Sequence, residues 1–210
     1  MFINISYIKH QLSLRKQNKV SSDDLGSIIK HKRLEGHLTL EEGAMGICSV
    51  SYLSKVENNL IKPSTKYVTL LKQKFGIEDN NNLLDPELIE KLINALFDRS
   101  MFDLDETLLN GCDYRTKLYG LAISFINKDY EESYKKYFDL NMFVKNMDNL
   151  ELELYLYLTS KLLRFEDRMK DAFVCLELIK TNSHDKLNIL IEKEKIELAT
   201  LMNNHPFILI

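Results

Sequence analysis

Histidine, cysteine, serine and the acids are the residues with which such a chain does chemistry, and their spacing here supports none. His10, His31, His37, His184 and His205 share no i, i+3 or i+4 spacing, and no Ser/His/Asp set, HExxH motif or phosphate-loop glycine pattern accompanies them. Cys48, Cys112 and Cys175 are odd in number, far apart and without a neighbouring histidine, which argues against disulfides and structural zinc. Asp103, Asp105 and Glu106 lack a loop glycine or a partner histidine and read as a helix start or a solvated face. No catalytic residue, metal site or cofactor is therefore expected. What remains is recognition chemistry around residue 50. Val50 can touch a thymine methyl, Ser51 and Ser54 can donate or accept, and Lys55 can reach guanine acceptors or a phosphate. Thr39 and Ser49 would begin helices whose free amides suit phosphates, and Asn59, Lys62 and Ser64 are placed to touch a backbone. Each has a plainer reading: Val50 as core, Ser54 as a small residue at a helix crossing, Lys62 as a solvated charge, Thr39 and Ser49 as caps alone.

These residues need short helices to position them, and the spacing predicts four. Leu25, Ile28 and Ile29 form one stripe, with Ser22 before it and Gly36 after. Thr39-Leu-Glu-Glu42 is a capping box opening a brief second helix, which Gly43 and Gly46 weaken; Gly46 is placed for a positive φ. Ser49 caps a third helix through Val50, Leu53 and Val56 that ends near Asn58-Asn59. Pro63-Ser64-Thr65 opens a fourth with Tyr67, Leu70, Leu71 and Phe75 on one face, closed by Gly76. Helix, short helix, tight turn, helix, helix is the plan of a helix-turn-helix module, whose third helix lies in the major groove.

Charge follows the same division. The formal net charge is −3, but residues 1–80 carry 12 Lys+Arg against 8 Asp+Glu, and residues 81–210 carry 16 against 23. A basic head on an acidic body fits a polyanion-binding domain attached to a differently employed one. The 210 residues hold only 7 glycines and 3 prolines, with no glycine after Gly120, so an all-α chain is expected. No apolar run approaches the roughly 20 residues of a membrane span, and the start does not look like a secretory signal; a soluble, cytoplasmic protein is expected.

The stretch Thr39-Leu-Glu-Glu-Gly-Ala-Met-Gly-Ile-Cys-Ser-Val-Ser-Tyr-Leu-Ser-Lys-Val-Glu-Asn-Asn, followed by Pro63-Ser64, resembles the Xre/Cro-type helix-turn-helix. Within it, Gly46 to Asn58 is most similar to the peptide-responsive Rgg/PlcR-like (RRNPP) regulators, which carry tetratricopeptide-like helices after the DNA-binding module. The resemblance covers about residues 22–76. It implies double-stranded DNA as partner, a homodimer, a short signalling peptide as ligand, and an Arg33–Glu57 salt bridge between the first and third helices. Two positions depart from the family: Gly43 replaces a usual leucine, and Leu40 replaces a frequent glutamine and removes one contact.

The expected organisation is an N-terminal extension over 1–21, the helix-turn-helix domain over 22–76, a linker over 77–86 and a helical domain over 87–210. In the extension, Ile5, Ile8 and Leu12 are helically spaced, so it is a further helix or an arm. Asp85 and Pro86 form a helix start, and Leu88, Ile89, Leu92, Ile93, Leu96 and Phe97 a broad apolar face. Asn127 to Leu140 is similar to the second half of a tetratricopeptide repeat with Ser133 at its small position; Ala172 holds that position 39 residues later, against a standard 34. In that register Arg115, Tyr157, Lys161 and Arg164 form a basic, aromatic strip on the concave side, suited to a peptide carboxylate, or ordinary solvated side chains. The apolar end Pro206-Phe-Ile-Leu-Ile210 marks a dimer interface or a shortened chain. A sequence-specific, dimeric DNA-binding regulator controlled by a peptide is the leading expectation; a ligand-independent dimeric repressor and a helical protein-interaction adaptor are the alternatives.

Overall fold

The computed structural model describes residues 2–15, 25–77, 87–102 and 114–204. Ser22, the stretch 78–86 with Asp85 and Pro86, Asp103, Asp105, Glu106, Cys112, His205 and the end 206–210 lie outside them. Every regular element among the described residues is a helix, so the fold is all-α as expected.

Helix α1 (Ile5–Ser13) starts where the Asn4 side chain accepts from the Tyr7 amide at 3.1 Å. Next come α2 (Leu25–Glu35), α3 (Leu40–Ala44), α4 (Val50–Glu57) and α5 (Thr65–Phe75). Their ends follow local chemistry. Thr39 and Glu42 make the reciprocal capping box, Glu42 N donating to Thr39 Oγ1 at 3.2 Å and Thr39 N to the Glu42 carboxylate at 2.7 Å. Gly76, at φ 60°, ends α5 in the left-handed region that glycine enters without steric cost.

The remaining helices are α6 (Leu88–Asp98), α7 (Tyr114–Ile126), α8 (Tyr130–Leu140), α9 (Asn149–Phe165), α10 (Met169–Glu177) and α11 (Asp185–Asn204). Helices α7 and α8 pack as one hairpin, α9 and α10 as the next. Ser133 and Ala172 sit where hairpin partners meet: Ser133 Oγ lies 3.0 Å from Ser124 Oγ, and the Ala172 carbonyl accepts from Ser160 Oγ at 3.1 Å. A 3-10 segment, Asn141–Asn146, separates the hairpins. Its Phe143 and Val144 are buried side by side without a helical period, so sequence pattern gave it no signal.

Apolar burial forms two clusters. The smaller holds Ile29, Ala44, Leu53, Val56, Leu71, Phe75 and Ile77, all from residues 25–77. The larger runs through α6–α11 and takes in Ile3, Ile5 and Ile8. Helix α1 therefore packs with the C-terminal helices, although α2–α5 follow it in sequence; Arg15 donates to the Met147 carbonyl at 3.2 Å and Arg168 to the Ile3 carbonyl at 2.7 Å. Between the clusters runs a polar seam. From α2, Lys30 Nζ donates to the Met142 carbonyl at 3.0 Å, and Asn146 Nδ2 donates to the Glu57 carbonyl at the end of α4 at 3.0 Å.

Candidate nucleic-acid interface

The sequence-predicted recognition residues gather around the start of α4. Ser49 is its N-cap, its hydroxyl accepting from the Tyr52 amide at 3.1 Å. Val50, Ser51 and Lys55 are exposed, while Leu53, Val56 and Glu57 on the opposite side are buried. The apolar period thus turns one face of α4 to the core and leaves the other open. Val50 is 44% exposed, which sets aside its reading as core. Ser54 is half-buried, and Tyr52 packs its ring 4.8 Å from Tyr67. The first turn of α4 contains no acid, so the positive end of its dipole is uncompensated. Lys62 and Ser64 are exposed beyond α4, Ser64 at the N-cap of α5 without a side-chain cap bond.

Two candidates are placed differently from expectation. Asn59 is only 6% exposed and takes a left-handed φ of 53°; its Nδ2 lies 3.4 Å from Ser27 Oγ. It closes the turn from inside, out of reach of an external phosphate. Thr39 is exposed, but its amide and hydroxyl both donate to the Glu42 carboxylate, at 2.7 and 2.8 Å. These hydrogen bonds hold Glu42 below the usual carboxylate range, backbone amide first and hydroxyl second, so a phosphate at Thr39 would meet a negative charge.

Arg33 and Glu57 hold this platform together. The guanidinium makes a bidentate pair with the carboxylate, at 2.7 and 2.9 Å, and gives a further hydrogen bond to the Leu38 carbonyl at 2.7 Å. Gly43 makes room for it: a Cβ there would lie 2.7 Å from Arg33 Cδ and 3.1 Å from Leu53 Cδ2. The absence of a leucine at residue 43 is thus offset by the arginine stem, which fills that space. Lys74, which its spacing does not single out, ties the α3–α4 turn to α5, donating to the Glu42 and Met45 carbonyls at 2.6 and 2.9 Å. That role exists only because α5 crosses the turn.

The predicted peptide strip is not an open cationic surface. Arg115 pairs with Glu151, a residue held inside the α9 capping box. Tyr157 is only 6% exposed. Lys161 meets Glu194 of α11 at 2.6 Å, and Arg164 meets Glu194 at 3.0 Å and Glu197 at 2.8 Å. Acids of α9 and α11 already hold these cations, so a ligand carboxylate would have to displace a partner.

Over 53 residues the chain is 51% identical to Transcriptional activator NprA of Geobacillus stearothermophilus. The matched stretch covers 24% of this chain and 12% of that protein. No protein-family model and no solved structure matches the chain. No described helix is long and apolar enough to cross a membrane.

Proposed function

We propose that the protein is a sequence-specific DNA-binding transcription regulator of the Xre/Cro helix-turn-helix type, acting as a homodimer. The observation that carries this reading is the α4 face: Val50, Ser51 and Lys55 exposed from an acid-free, Ser49-capped helix start, on a platform locked by the Arg33–Glu57 pair. The similarity to a named transcriptional activator supports it. In this reading α4 enters the major groove, Ser51 and Lys55 contact base edges, Val50 meets a thymine methyl, and Ser49, Lys62 and Ser64 lie against phosphates. Two copies would present their α4 helices to grooves about 34 Å apart.

The test is fluorescence anisotropy on DNA from upstream of the protein's own gene against scrambled DNA, across a salt series. Replacing Ser51 and Lys55 together by alanine is expected to cut the preference for the upstream DNA at least tenfold, each lost base contact costing about 1–3 kcal/mol. Both side chains are exposed, so the fold should survive. Preference retained in that variant defeats the α4 reading. Replacing Lys62 by alanine should instead weaken binding on both DNAs alike and flatten the salt slope by about one unit.

Regulation has two readings. Peptide control is the one the family resemblance implies. The ligand-independent regulator is favoured by the carboxylate partners of Arg115, Lys161 and Arg164. Calorimetry with short acidic peptides separates them: the ligand-independent reading expects no heat of binding, and saturable heat restores peptide control.

A further inference from the structure

The seam between α2–α5 and the C-terminal helices is built around three buried polar residues. Lys30, Asn146 and Glu57 are 8%, 1% and 3% exposed. Asn146 joins the two sides, donating to the Glu57 carbonyl at 3.0 Å while its Oδ1 lies 3.4 Å from Lys30 Nζ. Behind it, the Tyr114 hydroxyl donates to Glu151 at 2.6 Å and lies 3.3 Å from the Asn146 carbonyl, so Asn146 is backed by α7 and the start of α9. Apolar support across the seam is thin: among the described residues Leu34 is the one hydrophobic side chain of residues 25–77 packed against the larger cluster. A buried polar junction with little apolar backing is stable only while its hydrogen bonds are all made.

We propose that the junction of Lys30, Asn146 and the Glu57 carbonyl is a latch: closed, it fixes the direction of α4 relative to α6–α11; open, it lets the α2–α5 unit reorient. Its consequence for DNA binding rests on the function proposed above, whereas the latch itself does not. Glu57 gives the latch its leverage. Its carboxylate holds Arg33 and its carbonyl holds Asn146, so the end of α4 is tied directly to the body.

The latch senses protons at two adjacent α2 residues. Burial pushes Lys30 down from 10.5 to about 7, with Lys145 of the 3-10 segment and Arg33 of α2 adding to the shift and Glu57 of α4 opposing it. The Met142 carbonyl and the Phe143 ring, 4.7 Å from Nζ, also favour the charged form. His31, with its Nδ1 buried and unpartnered against Phe143, is held below its ordinary 6.5 by burial. Lys117 of α7 and Lys32 of α2 push the same way; Glu35 of α2 and Asp139 of α8 push against it. Closing therefore releases the Lys30 proton between pH 10.5 and about 7, so the closed state is less favoured as pH falls through that window; below it the Lys30 dependence ends. His31 extends the effect as pH falls through 6.5.

Hydrogen–deuterium exchange of the full-length protein between pH 6.5 and 8.5, corrected for intrinsic rates, tests this. In Asn146→Ala, peptides covering α2 should exchange at least tenfold faster than in the wild type, while those of α5 stay unchanged. Wild-type α2 exchange, so corrected, should rise as pH falls, and Lys30→Met should flatten that slope whatever level it sets. Unchanged α2 exchange in Asn146→Ala, a rise spread evenly over the chain, or a wild-type slope kept in Lys30→Met overturns the latch. Wild-type protein that shows no preference for upstream DNA in the anisotropy assay defeats the DNA reading alone, and the exchange result still decides the latch.

Discussion

Replacing Gly26 by alanine is expected to destabilise the α2–α5 unit so that it melts ahead of the rest of the protein. Within a helix alanine is normally favoured over glycine, by up to about 1 kcal/mol in the interior, so the expected sign runs against propensity. The cause is close approach: a Cβ on Gly26 would lie 2.0 Å from the Val56 carbonyl oxygen and 2.4 Å from Asn59 Oδ1, against an ordinary contact of at least 3.4 Å. Val56 O is backbone in the last turn of α4 and cannot swing aside. Helix α2 would have to move out by more than an ångström, pulling Ile29 from the core and Arg33 from Glu57. A loss of about 3 kcal/mol or more is expected, from overpacking and the broken ion pair together. Thermal and urea melts followed by circular dichroism would show it as an early transition that spares the α6–α11 signal. A melt equal to or above the wild type would mean that α2 and α4 do not cross at Gly26.

Replacing Glu57 by glutamine is expected to cost about 3–5 kcal/mol. The substitution keeps the size of the side chain but leaves the Arg33 cation, itself only 7% exposed, without a counter-charge. Burial leaves Arg33 little water to compensate for the lost charge. The double variant Arg33→Met, Glu57→Met removes both charges and should recover at least half of that loss, since the penalty comes mostly from the stranded charge. Urea melts of Arg33→Met, Glu57→Met and the double variant, beside Glu57→Gln, measure it. Additive losses in the double variant would show that the two side chains do not depend on one another, and would overturn the stranded-charge account.

Helix ends and turns in this protein are determined within a few residues of chain, and they were readable for that reason. Thr39 and Glu42 find each other three residues apart, Ser49 caps α4 through the Tyr52 amide, and Gly46 and Gly76 take positive φ where the pattern breaks. The buried face of α4 follows equally from the spacing of Leu53 and Val56, whereas Val50, in the same period, stays exposed at the helix start. Asn59 reads as a surface contact because an Asn-Asn turn looks the same from sequence whether its side chain points out or in; the neighbour that turns it inward, Ser27, is 32 residues away.

Sequence alone determined the all-α class, the short helices around residues 39–76, their caps, and the groups α4 can present. Tertiary structure alone decided that α1 packs on the C-terminal helices, that Gly26 meets α4, that Asn146 bridges the seam, and that Glu151, Glu194 and Glu197 hold the cations of the predicted strip. The physical reason is range. Backbone hydrogen bonds and capping act over three or four residues, so spacing encodes them. The partners of Lys30, Arg115 and Arg164 stand 30 to 116 residues away, and only the packing of apolar faces brings them into contact.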